Sequence, residues 1–97
     1  MTLAILLSGC AKEVTLPADA DAELRSGADI YRSRCASCHS ADGSGALGPS
    51  LLNVGDQLDS AGQREVVVNG RKAMPAFGAT LSEADVDAVI RYTREIL

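Results

Sequence analysis

Cys35, Ala36, Ser37, Cys38 and His39 are the residues in this 97-residue chain whose types and spacing carry chemistry. Cys-x-x-Cys-His is the pattern through which c-type haem is attached. Two thiols three positions apart lie on one side of a helical turn, so both can reach the edge of one flat ring. The histidine that follows then offers its imidazole to the iron on one axial face. A bare Cys-x-x-Cys would be ambiguous, because thiol redox sites and half zinc sites share it. The thiol–disulfide alternative needs a βαβ context, whereas this chain reads as helices.

An iron filled at both axial positions needs a second strong ligand opposite His39. No other histidine exists, and the methionines are Met1 and Met74. Met1 belongs to an apolar leader, which leaves Met74, a soft thioether that favours ferrous iron and raises the reduction potential. The other role open to Met74 is filling a core, yet it stands in a glycine-bounded loop before Pro75, away from any apolar periodicity. Lys72 is the alternative ligand, chiefly at high pH once its amine loses a proton. The third cysteine, Cys10, needs a separate role. Leu7-Ser8-Gly9-Cys10 ends an uncharged stretch and resembles the close of a bacterial lipoprotein signal peptide, in which the cysteine takes a diacylglycerol and becomes the mature N-terminus. The apolar run Leu3–Leu7 is far too short to span a bilayer and has no positive segment ahead of it, so the leader is expected to continue upstream. The alternative is an ordinary cysteine in an apolar tail.

The elements that must position these groups are short. Residues 11–21, with Pro17 and small or acidic neighbours, read as a flexible tether. A helix is expected from Ala22, capped by Asp21 or Asp19, with Glu23 favourably placed in its first turn. Leu24, Ala28, Tyr31 and Cys35 form its buried stripe. Gly27 inside it costs about 1 kcal/mol against alanine, which suits either a close helix crossing or a frayed end. Gly43-x-Gly45-x-x-Gly48 has the form of a dinucleotide fingerprint, but no strand precedes it and Pro49 follows at once, so the required context is missing. Ser60 with Gln63 suggests a capping box for a helix through Val66–Val68 to Asn69, stopped by Gly70. Three successive valines also suit a short strand. Residues 71–78 read as a loop. The last helix has Ser82 and Asp85 as its box and Val86, Val89, Ile90, Thr93 and Leu97 on one face. Arg91 and Arg94 lie where the helix dipole favours cations.

Net charge is -4 and the lysines are Lys12 and Lys72, so phosphate-backbone binding to nucleic acid is disfavoured. Residues 22–97 are barely enough for an apolar core. With aromatics at 3% and no tryptophan, a large flat apolar cofactor would supply the missing bulk.

From Gly27 to its C-terminus the chain resembles a small class I cytochrome c. The resemblance rests on Gly27-x-x-x-Tyr31-x-x-x-Cys35, the Cys35–His39 motif, Gly48-Pro49-x-Leu51, and Met74-Pro75 in an Ala/Gly/Phe loop. It implies an all-α cytochrome c fold, with three to four short helices wrapped around one covalently attached haem c. Together with the lipoprotein-like leader and the tether, it divides the chain into a signal-peptide remnant (1–9), a lipidated cysteine with its tether (10–21) and a cytochrome domain (22–97). The cofactor-binding residues would be Cys35, Cys38, His39, Met74, Pro49 and Leu51, with His39 and Met74 on the iron and the lipid on Cys10. The Pro49 carbonyl would accept the N–H of the axial histidine, and Tyr92 would pack the last helix over Gly27. Two departures stand out. No tryptophan is present for a haem propionate, leaving Arg64, Arg71 and Tyr31 as substitutes, and the loop from His39 to Met74 is short. The implied protein is a monomeric one-electron carrier, not an enzyme, tethered to a membrane in the bacterial envelope and facing the periplasm or exterior. It would act between a redox donor and an acceptor protein. The rivals are a haem sensor or enzyme in which a ligand displaces Met74, and an electron-entry subunit of a larger oxidoreductase.

Overall fold

The computed structural model describes residues 14–97; the leader and Cys10 lie outside the described residues. Three helices of nine or more residues carry the fold: α1 (Ala22–Ile30), α4 (Ser60–Asn69) and α5 (Glu83–Glu95). Two single turns, α2 (Ala36–His39) and α3 (Val54–Gln57), lie between them. No strand occurs among the described residues; one isolated bridge pairs Arg71 with Met74.

Asp21 opens α1 by accepting the Leu24 N–H at 3.0 Å. The same carboxylate receives Arg91 of α5 at 2.8 and 2.7 Å, and Arg91 also reaches Glu23 and Glu95. The Leu24 N–H first, and then Arg91, hold the Asp21 carboxyl below the usual carboxylate range. Arg91 therefore joins the start of the first helix to the end of the last, a link the dipole argument did not suggest.

α1 and α5 cross at Gly27. A Cβ there would lie 2.8 Å from the Ala88 carbonyl carbon and 2.9 Å from Tyr92 Cβ, besides meeting the Ala88 oxygen. Glycine is thus required by the close approach, not tolerated at a frayed end. Beside the crossing, Ala28, Tyr31, Val89 and Tyr92 form a buried cluster, with the tyrosine ring centroids 5.4 Å apart. Burying each ring stabilises by about 1.5–3 kcal/mol, and a ring pair adds roughly 0.5–1.5 kcal/mol.

Three expectations need correcting. The helix from Ala22 does not stay regular to the haem motif: Tyr31–Cys35 form a π turn in which the Ala36 N–H bonds the Tyr31 carbonyl. The N-cap of α4 is Asp59, whose Oδ1 accepts the Gly62 N–H at 2.7 Å. Gln63 is released from capping and buried, donating to Thr93 at 2.7 Å, while Arg94 bonds Gln63 Oε1 and the Leu58 carbonyl. Finally, Leu16–Asp21 is docked rather than free. Leu16 packs on the tyrosine cluster, Ala20 is buried, and Asp21 is bonded as above. The valine run is helical and Gly70, at φ 78°, ends it. In α5 both halves of the Ser82–Asp85 box are made.

Candidate functional site

The π turn and α2 present the Cys35–His39 motif. Cys35 and Cys38 are half-buried free thiols, and Cys35 packs with Ala36 against the tyrosine cluster. Burial, with Cys38 as a lesser cause, pushes the Cys35 thiol up to about 11. A redox-active thiol is tuned the opposite way, toward the thiolate. No βαβ unit is present among the described residues either, so the thiol–disulfide reading has no support.

His39 is buried. Its Nδ1 lies 2.8 Å from the Pro49 carbonyl oxygen, and a carbonyl can only accept, so Nδ1 carries the proton and donates. Nε2 is left with its lone pair and no hydrogen-bond partner among the described residues. Such a bond fixes the ring's tautomer and raises its basicity as a ligand. The three-glycine loop makes this possible. A Cβ on Gly48 would lie 2.8 Å from His39 Cε1 and 3.1 Å from Nδ1. The Gly48 N–H bonds the Cys38 carbonyl at 2.8 Å, and the Gly45 N–H bonds the His39 carbonyl at 2.9 Å. The glycines therefore wrap an imidazole, not a phosphate. Leu51 bonds the Gly43 carbonyl through its N–H and packs on the tyrosine cluster.

Met74 is half-buried in a different segment. Arg71 and Met74 exchange backbone bonds of 3.1 and 3.0 Å around Lys72, whose φ is 55°. The turn is tied to α4, because Phe77 and Gly78 donate to the Val67 and Val68 carbonyls at 2.9 and 3.1 Å. The motif turn, the loop's backbone bonds and the His39–Pro49 bond gather Cys35, Cys38, His39, Pro49 and Leu51 into one unit. Met74 stands on a second unit, and α5, packed on both α1 and α4, joins the two.

Of the propionate substitutes, Tyr31 is corrected: it is wholly buried and its hydroxyl donates to the Ser40 carbonyl at 2.5 Å. Arg64 is paired with Asp87 of α5. A groove of about 530 Å³ between α4 and α5 holds Arg64, Arg91 and Arg94 but none of the site residues. Each of those arginines is already bonded within the fold. Sequence reasoning missed the ring contact of Gly48, which the adjoining Gly-Pro could have suggested, and the Tyr31–Ser40 hydrogen bond, for which the sequence holds no signal.

A sequence profile of the family described as cytochrome c oxidase, cbb3-type, subunit III matches residues 22–92. The cytochrome c6 of Bumilleriopsis filiformis is 36% identical over 77 residues, covering 73% of this chain and 88% of that relative. The chain belongs to the class I c-type cytochromes. Cytochrome c-555 of Methylococcus capsulatus is likewise 36% identical, over 95% of this chain and 77% of its own. Among solved structures, the dihydro-heme d1 dehydrogenase NirN aligns with a TM-score of 0.70 and 33% identity over 74% of this cytochrome. The cytochrome spans only 16% of the NirN chain. Membership of this family implies covalently bound haem c and work as an electron carrier. The donor set of this cytochrome fits that group. It offers two free thiols three residues apart, an imidazole whose Nε2 lone pair is unengaged, and a glycine where a side chain would displace the ring.

Proposed function

We propose that this cytochrome carries single electrons on one haem c, attached through Cys35 and Cys38 and held axially by His39 and Met74. The observation that carries the reading is the His39–Pro49 bond, which readies Nε2 as a metal donor. Haem c, when bound, supplies one-electron exchange between ferric and ferrous iron. The chain's residues hold and tune it. The two thiols anchor the ring edge, and Pro49 keeps the imidazole proton on Nδ1. Gly48 leaves room for the imidazole, and the Arg71–Met74 turn, fixed to α4, presents the thioether. With His39 and Met74 both committed to the haem iron, the chain would leave no position for a substrate, and the protein would act as a carrier, not an enzyme. Intact mass tests this. Protein from a host with cytochrome c maturation factors should gain the mass of one haem, and a Cys35→Ser/Cys38→Ser double variant should gain none. An unmodified wild-type mass would refute it.

The anchor is part of the same proposal. Leu7-Ser8-Gly9-Cys10 supports a diacylglycerol on Cys10, which holds a monomeric carrier at a membrane of the bacterial envelope, facing the periplasm or exterior. There it serves a redox donor and an acceptor protein. Labelled palmitate should enter the wild type and not Cys10→Ala.

A second reading has support in the family description, which names an oxidase subunit, and in the similarity to one part of NirN. The cytochrome would then be the electron-entry subunit of a larger oxidoreductase. Native size after mild solubilisation separates the two: a free carrier runs as a monomer, and a subunit co-migrates with its enzyme.

A further inference from the structure

Ser40, directly after His39, has φ 70° and ψ 155°, a region that is essentially glycine's alone. A non-glycine residue persists there only when its surroundings over-determine it. Three hydrogen bonds do so. The Ser40 N–H donates to the Ala36 carbonyl at 2.8 Å, its Oγ donates to the Gly45 carbonyl at 2.8 Å, and its carbonyl accepts the Tyr31 hydroxyl at 2.5 Å. Tyr31 has no freedom to move, being wholly buried against Tyr92. Its backbone carbonyl also receives the Ala36 N–H across the π turn. One residue thus grips the haem motif at both ends.

The reversal at Ser40 has a consequence for the ring before it. It turns the chain back so that the Gly45 and Gly48 N–H groups meet the His39 and Cys38 carbonyls. That register seats Gly48 against the imidazole and brings the Pro49 carbonyl to Nδ1. A serine freed from Tyr31 would relax toward negative φ, and the loop carrying Pro49 would lose its register. Packing accounts for the Tyr31 ring but not for the hydroxyl, which is aimed at the carbonyl of the strained residue.

We infer that the Tyr31 hydroxyl is a positioning group: by holding Ser40 in a glycine-only conformation, it sets the His39–Pro49 hydrogen bond and with it the donor strength of the imidazole. This rests on the haem reading above. Tyr31 acts through Ser40 and does not itself touch the iron ligands' donor atoms.

The test is a double-mutant cycle on the holo-cytochrome with Tyr31→Phe and Ser40→Gly, reading the reduction potential and the His39 Nδ1–H resonance of the ferrous protein. Tyr31→Phe keeps the ring and removes only the hydroxyl. In the Ser40 background it should raise the potential, because a weaker donor favours ferrous iron. The Nδ1–H resonance should move upfield, with exchange faster by about tenfold, the scale of one lost hydrogen bond. In the Ser40→Gly background it should move neither reading, because glycine adopts positive φ without steric cost. The inference is overturned if Tyr31→Phe leaves both readings unchanged beside Ser40, or shifts them equally in the Ser40→Gly background. A wild type without low-spin haem would instead overturn the haem reading itself, so the two failures are distinguishable.

Discussion

Replacing Gly27 with alanine puts one methyl group where α1 and α5 already touch. The new Cβ would lie 2.8 Å from the Ala88 carbonyl carbon and 2.9 Å from Tyr92 Cβ, with the Ala88 oxygen closer still. Backbone atoms of α5 cannot swing aside as a side-chain tip can, so the helices must separate. Overpacking of this kind costs up to about 3 kcal/mol, while alanine's better helix propensity returns about 1 kcal/mol. With clashes this short the cost lies at the upper end, so the net loss approaches about 2 kcal/mol, which lowers the Tm of a domain this size by up to about 8–16 °C. Gly55→Ala is the control. Its Cβ would come no closer than 3.5 Å to the Arg94 guanidinium, an ordinary contact, so stability should hold or rise slightly. Thermal melts of the two holo-variants, followed by far-UV circular dichroism, read the difference. A Gly27→Ala protein as stable as wild type would refute the claim that this crossing requires glycine.

The Asp21 carboxyl is held below its ordinary value of 3.8, so its stabilisation is present above that value and is lost as pH falls through the lowered folded pKa. Asp21→Asn keeps the cap acceptor but loses the charge on Arg91, so the fall in urea midpoint below about pH 4 should flatten; an unchanged acid limb would contradict this. Thr93→Val leaves the buried Gln63 amide without its acceptor and should cost about 1–3 kcal/mol in urea unfolding. Adding Gln63→Leu should recover part of that loss, and strict additivity of the two would disprove the coupling.

Legibility in the sequence followed the range of the interaction. α5 was readable because its cap, its box partner and its apolar face all lie within one stretch, and the Asp21 cap of α1 was readable for the same reason. Gly27 and Tyr92 were paired through the family resemblance, since nothing local links positions so far apart. The π turn had no signal: one extra residue in a turn leaves Tyr31 and Cys35 on the same stripe a regular helix would give. At the start of α4, Asp59 and Ser60 are both good caps. The choice falls to Asp59 because Gln63 is taken by Thr93 of α5, which only the assembled fold reveals. Arg91 illustrates the same limit, its partners Asp21 and Glu23 being at the opposite end of the described chain. Ser40 gave no hint of its backbone, because serine ordinarily avoids the conformation that Tyr31 and Gly45 impose on it.

Ligation of the haem iron by Met74 is tested by the visible spectrum of holo-protein before and after Met74→Ala. The wild type should be low-spin, with a methionine–iron charge-transfer band at long wavelength. The variant should lose the band, turn high-spin and have a lower reduction potential. A low-spin spectrum unaltered by the substitution would contradict that ligation.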